Sequence, residues 1–223
     1  MNKLVIAIDG PAGAGKSTVA KRLARELGLR FLDTGAMYRC LAVKCVRDGV
    51  GADEGDRAAA LGEDMVIEFG EGDPQPVFLD GEDVTAEIRK PELGDFASAV
   101  SVHPPVRRLM VRQQRAIVER GGVTLEGRDT TTVTAYDAPV RVFLTASLEE
   151  RARRRWEELQ AKGIEKALED VQADIAERDH RDSTRADSPL RVADGVIVID
   201  SGNMSIDEVV ARIKALAEGY GQS

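Results

Sequence analysis

The chain has 223 residues, of which 43% are hydrophobic and 31% are charged. This length suits one compact α/β domain with an insertion, or one core with small mobile lobes, and the composition is not that of a disordered chain. The net charge of −8 argues against nucleic acid as a partner, because duplex-binding proteins usually present a basic surface. The sequence has no signal-peptide pattern and no run of about 18 apolar residues, so we expect a cytoplasmic protein that does not enter a membrane.

Strands and helices alternate at the start of the chain. The apolar run at residues 4–8 predicts a strand buried on both faces, and a helix is predicted over about 16–27. A second strand at 30–33 and a helix over 34–48 follow. This β-α-β-α order predicts a parallel sheet with helices on its faces.

Short strands without helices between them come next. Residues 65–69 and 76–79 read as strands, and Asp80-Gly81 offers a tight turn. We therefore predict a small antiparallel insertion from about 62 to 90.

The remaining pattern returns to helices and core strands. Helices are predicted from Glu92 and from Pro104, and buried strands at 123–125, 140–144 and 196–199.

Two serine–glutamate pairs predict further helix starts. Ser147 with Glu150 precedes an arginine-rich helix, and Ser205 with Glu208 precedes the last helix, whose apolar side is predicted to face inward from Ile206 onward. Between them, a helix over about 168–175 is predicted to end before a polar, arginine-rich stretch.

The phosphate loop, residues 10–17, reads GPAGAGKS and matches the pattern G-x-x-x-x-G-K-S/T between a buried strand and a helix. Its glycines let backbone N–H groups surround a phosphate at the positive end of the helix. Lys16 is expected to reach the β- and γ-phosphates of a nucleoside triphosphate, and the Ser17 hydroxyl to bind Mg²⁺. A glycine turn before an ordinary helix is the bland alternative. The residues expected to bind ATP here are Gly10, Pro11, Ala12, Gly13, Ala14, Gly15, Lys16, Ser17 and Thr18.

Four further motifs follow in order: DTGAMYR at 33–39, DGEDVTAEIR at 80–89, EGRD at 126–129 and ERDHRD at 177–182. Together with the phosphate loop they resemble the bacterial cytidylate kinase family, from near residue 4 to near residue 210. The ordered set is far more specific than the loop alone, which many families share.

The resemblance implies the P-loop nucleoside monophosphate kinase fold, with a five-stranded parallel core sheet, helices on both faces, a small antiparallel insertion and a mobile lid. It also implies ATP- and Mg²⁺-dependent phosphorylation of CMP, and of dCMP, in pyrimidine nucleotide metabolism, by a monomer acting on small molecules. The implied division is a core of 1–61, 91–148 and 186–223, an insertion of 62–90 in the monophosphate-binding lobe, and a lid of 149–185.

The resemblance also assigns roles to individual residues. Lys16, Arg39 and Arg128 are the implied catalytic residues, and Arg154 and Arg155 are implied to approach ATP. The residues implied to bind CMP are Thr34, Tyr38, Arg39, Ser98, Arg107, Arg128, Asp129, Arg178, Asp182 and Arg185. Within this set Thr34, Arg39, Arg107 and Arg128 hold the phosphate, Asp129, Arg178 and Asp182 lie at the ribose, and Ser98 and Arg185 lie at the cytosine.

The charges support this reading independently. An acceptor phosphate must approach the negative charge of ATP, and bidentate guanidinium groups suit phosphate oxygens. Bland alternatives stay open: Arg39 and Arg107 as solvated helix arginines, Arg128-Asp129 as a structural ion pair, and the lid arginines as partners of nearby glutamates.

One segment departs from the family pattern. After the EGRD motif the family usually continues with isoleucine-glycine-threonine and an aromatic-proline pair, whereas this chain has TTTVTAYD at 130–137. The shape of this loop, and with it the contacts of Arg128 and Asp129, is therefore open.

Two rival functions are weighed against CMP phosphorylation. The first is a kinase with this loop acting on another monophosphate, such as UMP, or on a metabolite hydroxyl. The sequence shows no evident aspartate base placed to activate a hydroxyl, which weighs against the hydroxyl version. The second is a nucleotide-dependent switch or binding module, which would show no acceptor-dependent turnover.

Overall fold

The computed structural model describes residues 3–220, which form two compact units. One unit comprises the chain up to Phe31 together with the chain from Val118 onward, and the other is Leu32–Ile117. The elements, in chain order, are β1 (Val5–Asp9), α1 (Lys16–Leu27), β2 (Arg30–Asp33), α2 (Thr34–Arg47), α3 (Gly55–Gly62), β3 (Ile67–Phe69), β4 (Val77–Leu79), β5 (Glu82–Asp83), a 3-10 turn (Glu87–Arg89), α4 (Pro91–Val100), α5 (Pro104–Val118), β6 (Val123–Gly127), a π-helical turn (Thr130–Thr134), β7 (Val140–Thr145), α6 (Leu148–Ala161), α7 (Leu168–Thr184), β8 (Ile197–Asp200) and α8 (Ile206–Tyr220).

The main sheet has five strands in the order β2-β6-β1-β7-β8. Strand β1 pairs in parallel with β6 and β7, and β7 pairs in parallel with β8. The register sets Asp9 opposite Gly127 on β6 and Phe143 on β7. Because carboxyl ends of parallel strands share one edge of a sheet, the loops after β1 and β6 emerge side by side.

Apolar side chains of β1 and of the helices around it form the core of the first unit. All five residues of β1 are buried, and Ile6 and Ile8 pack in one cluster with Leu23 of α1 and Ile213 of α8. Helix α1 ends where Gly28 adopts a left-handed conformation (φ 63°), which glycine adopts without strain.

The second unit combines helices α2–α5 with the small antiparallel sheet β3-β4-β5. The Asp33 carboxylate begins α2 by accepting a hydrogen bond from the Ala36 N–H at 2.9 Å. Arg47, in the last turn of α2, donates to both carboxylate oxygens of Glu82 at 2.7 and 2.9 Å. This pair ties the insertion to α2.

These elements confirm the predicted fold: a five-stranded parallel sheet and a small antiparallel insertion within 62–90. The Ser147–Glu150 capping box at α6 is present, and Ser205 and Glu208 exchange hydrogen bonds at the start of α8. The finer division into core, insertion and lid remains a prediction.

Three local predictions were wrong. Strand β8 is not buried, since it lies at the edge of the sheet and only Ile199 of its four residues is buried. Ile206 is exposed, although Val209 and Ile213 of the same helix face the core. Helix α7 does not end before the arginine-rich stretch but continues to Thr184.

Within residues 3–220, none of the helices combines the length and the apolar character needed to cross a lipid bilayer.

Candidate functional site

The phosphate loop has the close backbone approaches that its glycines predict. Gly10 has a φ of 150°, and a Cβ atom there would lie 1.9 Å from the carbonyl oxygen of Leu144. Gly15 precedes α1 in a left-handed conformation (φ 87°). Side chains at either position would be strained, so the loop can be built only with glycine there.

Lys16 is buried in the first turn of α1. Its side-chain Nζ donates a hydrogen bond to the carbonyl oxygen of Pro11 at 2.8 Å. Burial, assisted by the positive charge of Arg128, lowers the pKa of Lys16 to about 7. The ammonium group is thus poorly compensated, and a nearby phosphate would supply the missing negative charge.

Ser17 is paired with a residue that the sequence did not assign. Its hydroxyl donates to the Oε1 atom of Glu126 at 2.8 Å. Glu126 lies on β6 opposite Ile8, so the sheet register brings it beside the phosphate loop. The available signal was its place at the end of a buried strand, two residues before the predicted site residue Arg128.

Asp9, directly before the loop, is a second residue that the sequence missed. It is fully buried, and its two carboxylate oxygens accept four hydrogen bonds. Oδ1 accepts from the N–H and hydroxyl of Thr130 at 2.9 and 2.8 Å, and Oδ2 from those of Thr131 at 2.7 and 2.6 Å. Burial raises the pKa of Asp9, as does the charge of Asp129, while the hydrogen bonds from Thr131 and Thr130 oppose this rise.

These contacts define the loop shape that the sequence left open. Residues 130–134 form a π-helical turn, with the Ala135 N–H donating to the Thr130 carbonyl at 2.7 Å. The turn wraps its first two residues around Asp9, so the segment after Asp129 is fixed to the strand that leads into the phosphate loop.

Charged residues predicted for the acceptor lie together in the first unit. Arg128 donates through Nε to Asp182 at 2.9 Å, and Arg185 lies 3.6 Å from Asp182 and 4.0 Å from Asp129. Although burial acts in the opposite direction, the charges of Arg128, Arg178 and Arg185 lower the pKa of Asp182, which is therefore ionised. Because helix α7 continues through the arginine-rich stretch, it supplies Arg178 and Asp182 to this cluster.

The second unit carries the other predicted acceptor residues on α2, α4 and α5. Arg107 is only 1% exposed, donates to the Ser101 carbonyl at 3.1 Å, and lies 5.8 Å from the centre of the Tyr38 ring. It is therefore not a solvated helix arginine. Thr34 and Ser98 are also buried, which is unusual for polar side chains without a structural or binding role.

The two arginines predicted to approach ATP have protein partners. Arg154 donates to the hydroxyl of Ser201 at 3.0 Å and to its carbonyl at 2.6 Å. Arg155 pairs with Glu158 on the surface of α6. Their contact with ATP stays a prediction.

Comparisons with known proteins agree with these motifs. A family model described as cytidylate kinase matches residues 6–219. The cytidylate kinase of Caldanaerobacter subterraneus subsp. tengcongensis is 49% identical over 208 residues, which cover 93% of this chain and 92% of that protein. The cytidylate kinase of Mycobacterium leprae is 48% identical over 219 residues, covering 98% and 97%.

A solved structure supports the fold alone. An uncharacterized protein from Eubacterium ventriosum matches with a TM-score of 0.56 and 14% identity, covering 98% of this chain and 99% of that one. The match of the family model to nearly the whole chain, and relatives at almost half identity, are decisive for the family. This chain belongs to the cytidylate kinase family.

Proposed function

We propose that the chain transfers the γ-phosphoryl group of ATP to CMP, and also to dCMP, giving the diphosphate. The observation that carries this proposal is a complete phosphate loop in which burial lowers the pKa of Lys16, in a chain whose relatives are cytidylate kinases. The enzyme class is a phosphotransferase with a phosphate group as acceptor.

The phosphate loop binds the ATP phosphates in this proposal. Backbone N–H groups of residues 10–18 surround the phosphates, and the start of α1 adds partial positive charge. Lys16 leaves the Pro11 carbonyl and follows the transferring phosphoryl group, whose charge it neutralises.

The loop also fits the magnesium ion that accompanies ATP. Mg²⁺ prefers hard oxygen ligands, and the Ser17 hydroxyl and the Glu126 carboxylate lie 2.8 Å apart beside the loop. We propose that Ser17 would bind the ion directly and that Glu126 would hold it indirectly, without being a direct ligand. When bound, the ion adds positive charge to the phosphates.

The proposal keeps the CMP-binding roles that the family resemblance implies. Arg39, Arg107 and Arg128 bind the acceptor phosphate, together with Thr34 and Tyr38. The residues assigned to the ribose and the base are Ser98, Asp129, Arg178, Asp182 and Arg185. Guanidinium groups are suited to this task, because their planar fork of N–H donors matches the geometry of phosphate oxygens.

No protein nucleophile is needed for the transfer. The acceptor's own phosphate oxygen attacks the γ-phosphorus in line, and the protein contributes alignment and charge neutralisation. It must also exclude water, which would otherwise hydrolyse ATP. The cytoplasmic location and monomeric state expected from the sequence remain predictions.

A coupled assay of ADP release tests the function. The enzyme is incubated with Mg²⁺ and ATP, with or without each of CMP, dCMP, UMP and AMP. We expect release that depends on the acceptor and is fastest with CMP and dCMP. ADP release that UMP or AMP stimulates but CMP does not would favour the rival kinase. ADP release that no acceptor stimulates would favour a switch or binding module.

Arg185 is predicted to select the base. Arginine only donates hydrogen bonds, and cytosine accepts at N3 and O2, whereas uracil carries a hydrogen at N3. A buried donor set against a donor costs about 1–3 kcal/mol. We expect kcat/KM for CMP to exceed that for UMP by at least tenfold, and this ratio to narrow in Arg185→Ala.

The CMP:UMP ratio is the appropriate readout because it does not depend on how much of the variant is folded. Arg185 is buried beside Asp129 and Asp182, so its removal also lowers stability. Arg181→Ala is the control: it removes a half-buried arginine of α7 that pairs with Glu177, and it should keep the wild-type ratio. An unchanged ratio in Arg185→Ala would assign this arginine to phosphate binding instead.

A further inference from the structure

An ion pair between α6 and α7 holds the backbone of Ala12 in the phosphate loop. The Ala12 N–H donates to Oδ1 of Asp179 at 2.9 Å, and the Ala12 carbonyl accepts from Nη1 of Arg151 at 2.9 Å. The same Nη1 donates to Oδ2 of Asp179, while Nε of Arg151 donates to the Ala146 carbonyl at 3.0 Å. Both peptide groups that flank Ala12 are thus held by charged side chains.

The planarity of the peptide bond transmits these contacts along the loop. In a trans peptide the C=O and N–H groups point in opposite directions. The peptide whose N–H donates to Asp179 has as its carbonyl the Pro11 oxygen that receives Lys16. The next peptide, whose carbonyl accepts from Arg151, carries the N–H of Gly13. Asp179 therefore orients the carbonyl on which Lys16 rests, and Arg151 orients the Gly13 amide.

Packing reinforces the same arrangement. The Ala12 methyl group lies in an apolar cluster with Ala152 and Leu159 of α6 and Val171 and Ile175 of α7. Gly13 has a φ of 75°, and a Cβ atom there would lie 2.9 Å from the backbone oxygen of Arg151. The loop is seated on both helices by its side chain and by its backbone.

We propose that Arg151 and Asp179 are positioning residues for ATP: their ion pair presets the phosphate loop in its binding conformation. The proposal rests on the proposed kinase function, because it assigns to that loop a dependence on α6 and α7. Neither side chain needs to touch the nucleotide. A preset loop loses less conformational freedom when ATP binds, so breaking the pair weakens ATP binding specifically.

Asp179→Ala tests the proposal through its kinetic signature. Losing a charged hydrogen-bond partner of the loop should raise KM for ATP about tenfold. KM for CMP should stay within about twofold and kcat within about threefold, because the change affects binding rather than transfer. A purely structural role would reduce the amount of active enzyme, seen as a lower kcat, and leave KM for ATP unchanged. That result would overturn the proposal.

Matched variants sharpen the test. Asp174→Ala removes an exposed carboxylate of the same helix, paired with Lys166, and should leave both KM values unchanged. Asp179→Asn keeps the side-chain shape and one acceptor oxygen, so it should raise KM for ATP by about threefold. If Asp179→Ala does not fold, Asp179→Asn decides the question, because an unchanged KM for ATP in Asp179→Asn would also overturn the proposal.

A double-mutant cycle tests whether the two residues act as one unit. Arg151→Met should raise KM for ATP in the same direction, and combining it with Asp179→Ala should add at most about twofold. Multiplicative effects would mean that the residues act separately and would contradict a shared clamp.

Affinity for a non-hydrolysable ATP analogue, measured by calorimetry, separates this proposal from the proposed function. A wild-type protein without CMP-dependent turnover would refute the function alone. In that case a tenfold weaker affinity in Asp179→Ala would still support the clamp, and an equal affinity would refute it.

Discussion

Replacing Lys16 with methionine is expected to lower turnover at saturating ATP and CMP by at least two orders of magnitude. Methionine keeps an unbranched apolar stem but lacks the ammonium group that follows the transferring phosphoryl group. Removing one such electrostatic contact from a transition state costs about 3 kcal/mol or more. The measurement is kcat from the ADP-release assay.

The same variant should remain at least as stable as the wild type. Burial lowers the pKa of Lys16 to about 7, so below this pH the folded protein carries a poorly solvated charge. The unfolded chain has a normal lysine pKa and does not bear this penalty, which means that the penalty is full below about pH 7 and fades as pH rises above it. At pH 6, urea unfolding of Lys16→Met should therefore show an equal or greater free energy of unfolding.

Lys21→Met provides the matched control, since it makes the same substitution on α1 outside the phosphate loop. Its kcat should stay within about twofold of the wild type. A folded Lys16→Met enzyme that retains more than about a tenth of wild-type activity would remove Lys16 from the catalytic role.

Local signals predicted the strand, loop and helix that carry the phosphate-loop motif. An apolar run, a glycine motif and the spacing of Val19, Ala20 and Leu23 depend only on neighbouring residues, and the structure places β1 and α1 where they were predicted. The caps of α6 and α8 were found for the same reason, because a serine and a glutamate three residues apart interact within one turn.

Tertiary context decided what the sequence did not show. The run VIVI at 196–199 is as apolar as a central strand, but β8 has a neighbour on one side only, so Val198 is 47% exposed. Likewise, no local pattern indicates that Asp179 reaches back 167 residues to the Ala12 N–H. Such partners are set by how helices pack against the sheet, which one sequence does not reveal.

The threonine segment shows both what local sequence reveals and what only the tertiary structure reveals. The departure at 130–137 was visible in the sequence, and a lone aspartate at the end of an apolar strand was visible too. Their connection was not, because 121 residues separate Asp9 from Thr130. In the structure the threonine hydroxyls, which the usual isoleucine and glycine would lack, supply two of the four hydrogen bonds to Asp9.

Asp9→Asn is expected to lower the free energy of unfolding at pH 7 by about 1–3 kcal/mol, because the broken hydrogen bonds outweigh the relief of no longer burying a charge. Each carboxylate oxygen accepts two hydrogen bonds, whereas the asparagine amide nitrogen would set its own hydrogens against the two donors of one threonine. Urea denaturation measures the change. Asp137→Asn, which alters an exposed aspartate beside the same turn, is the control, and its free energy of unfolding should stay within about 0.5 kcal/mol of the wild type.

Thr131→Val removes a single hydroxyl and should cost about 1 kcal/mol, since the backbone N–H of residue 131 still bonds Asp9. Equal stability of Asp9→Asn and the wild type would show that the four contacts do not hold the turn against β1.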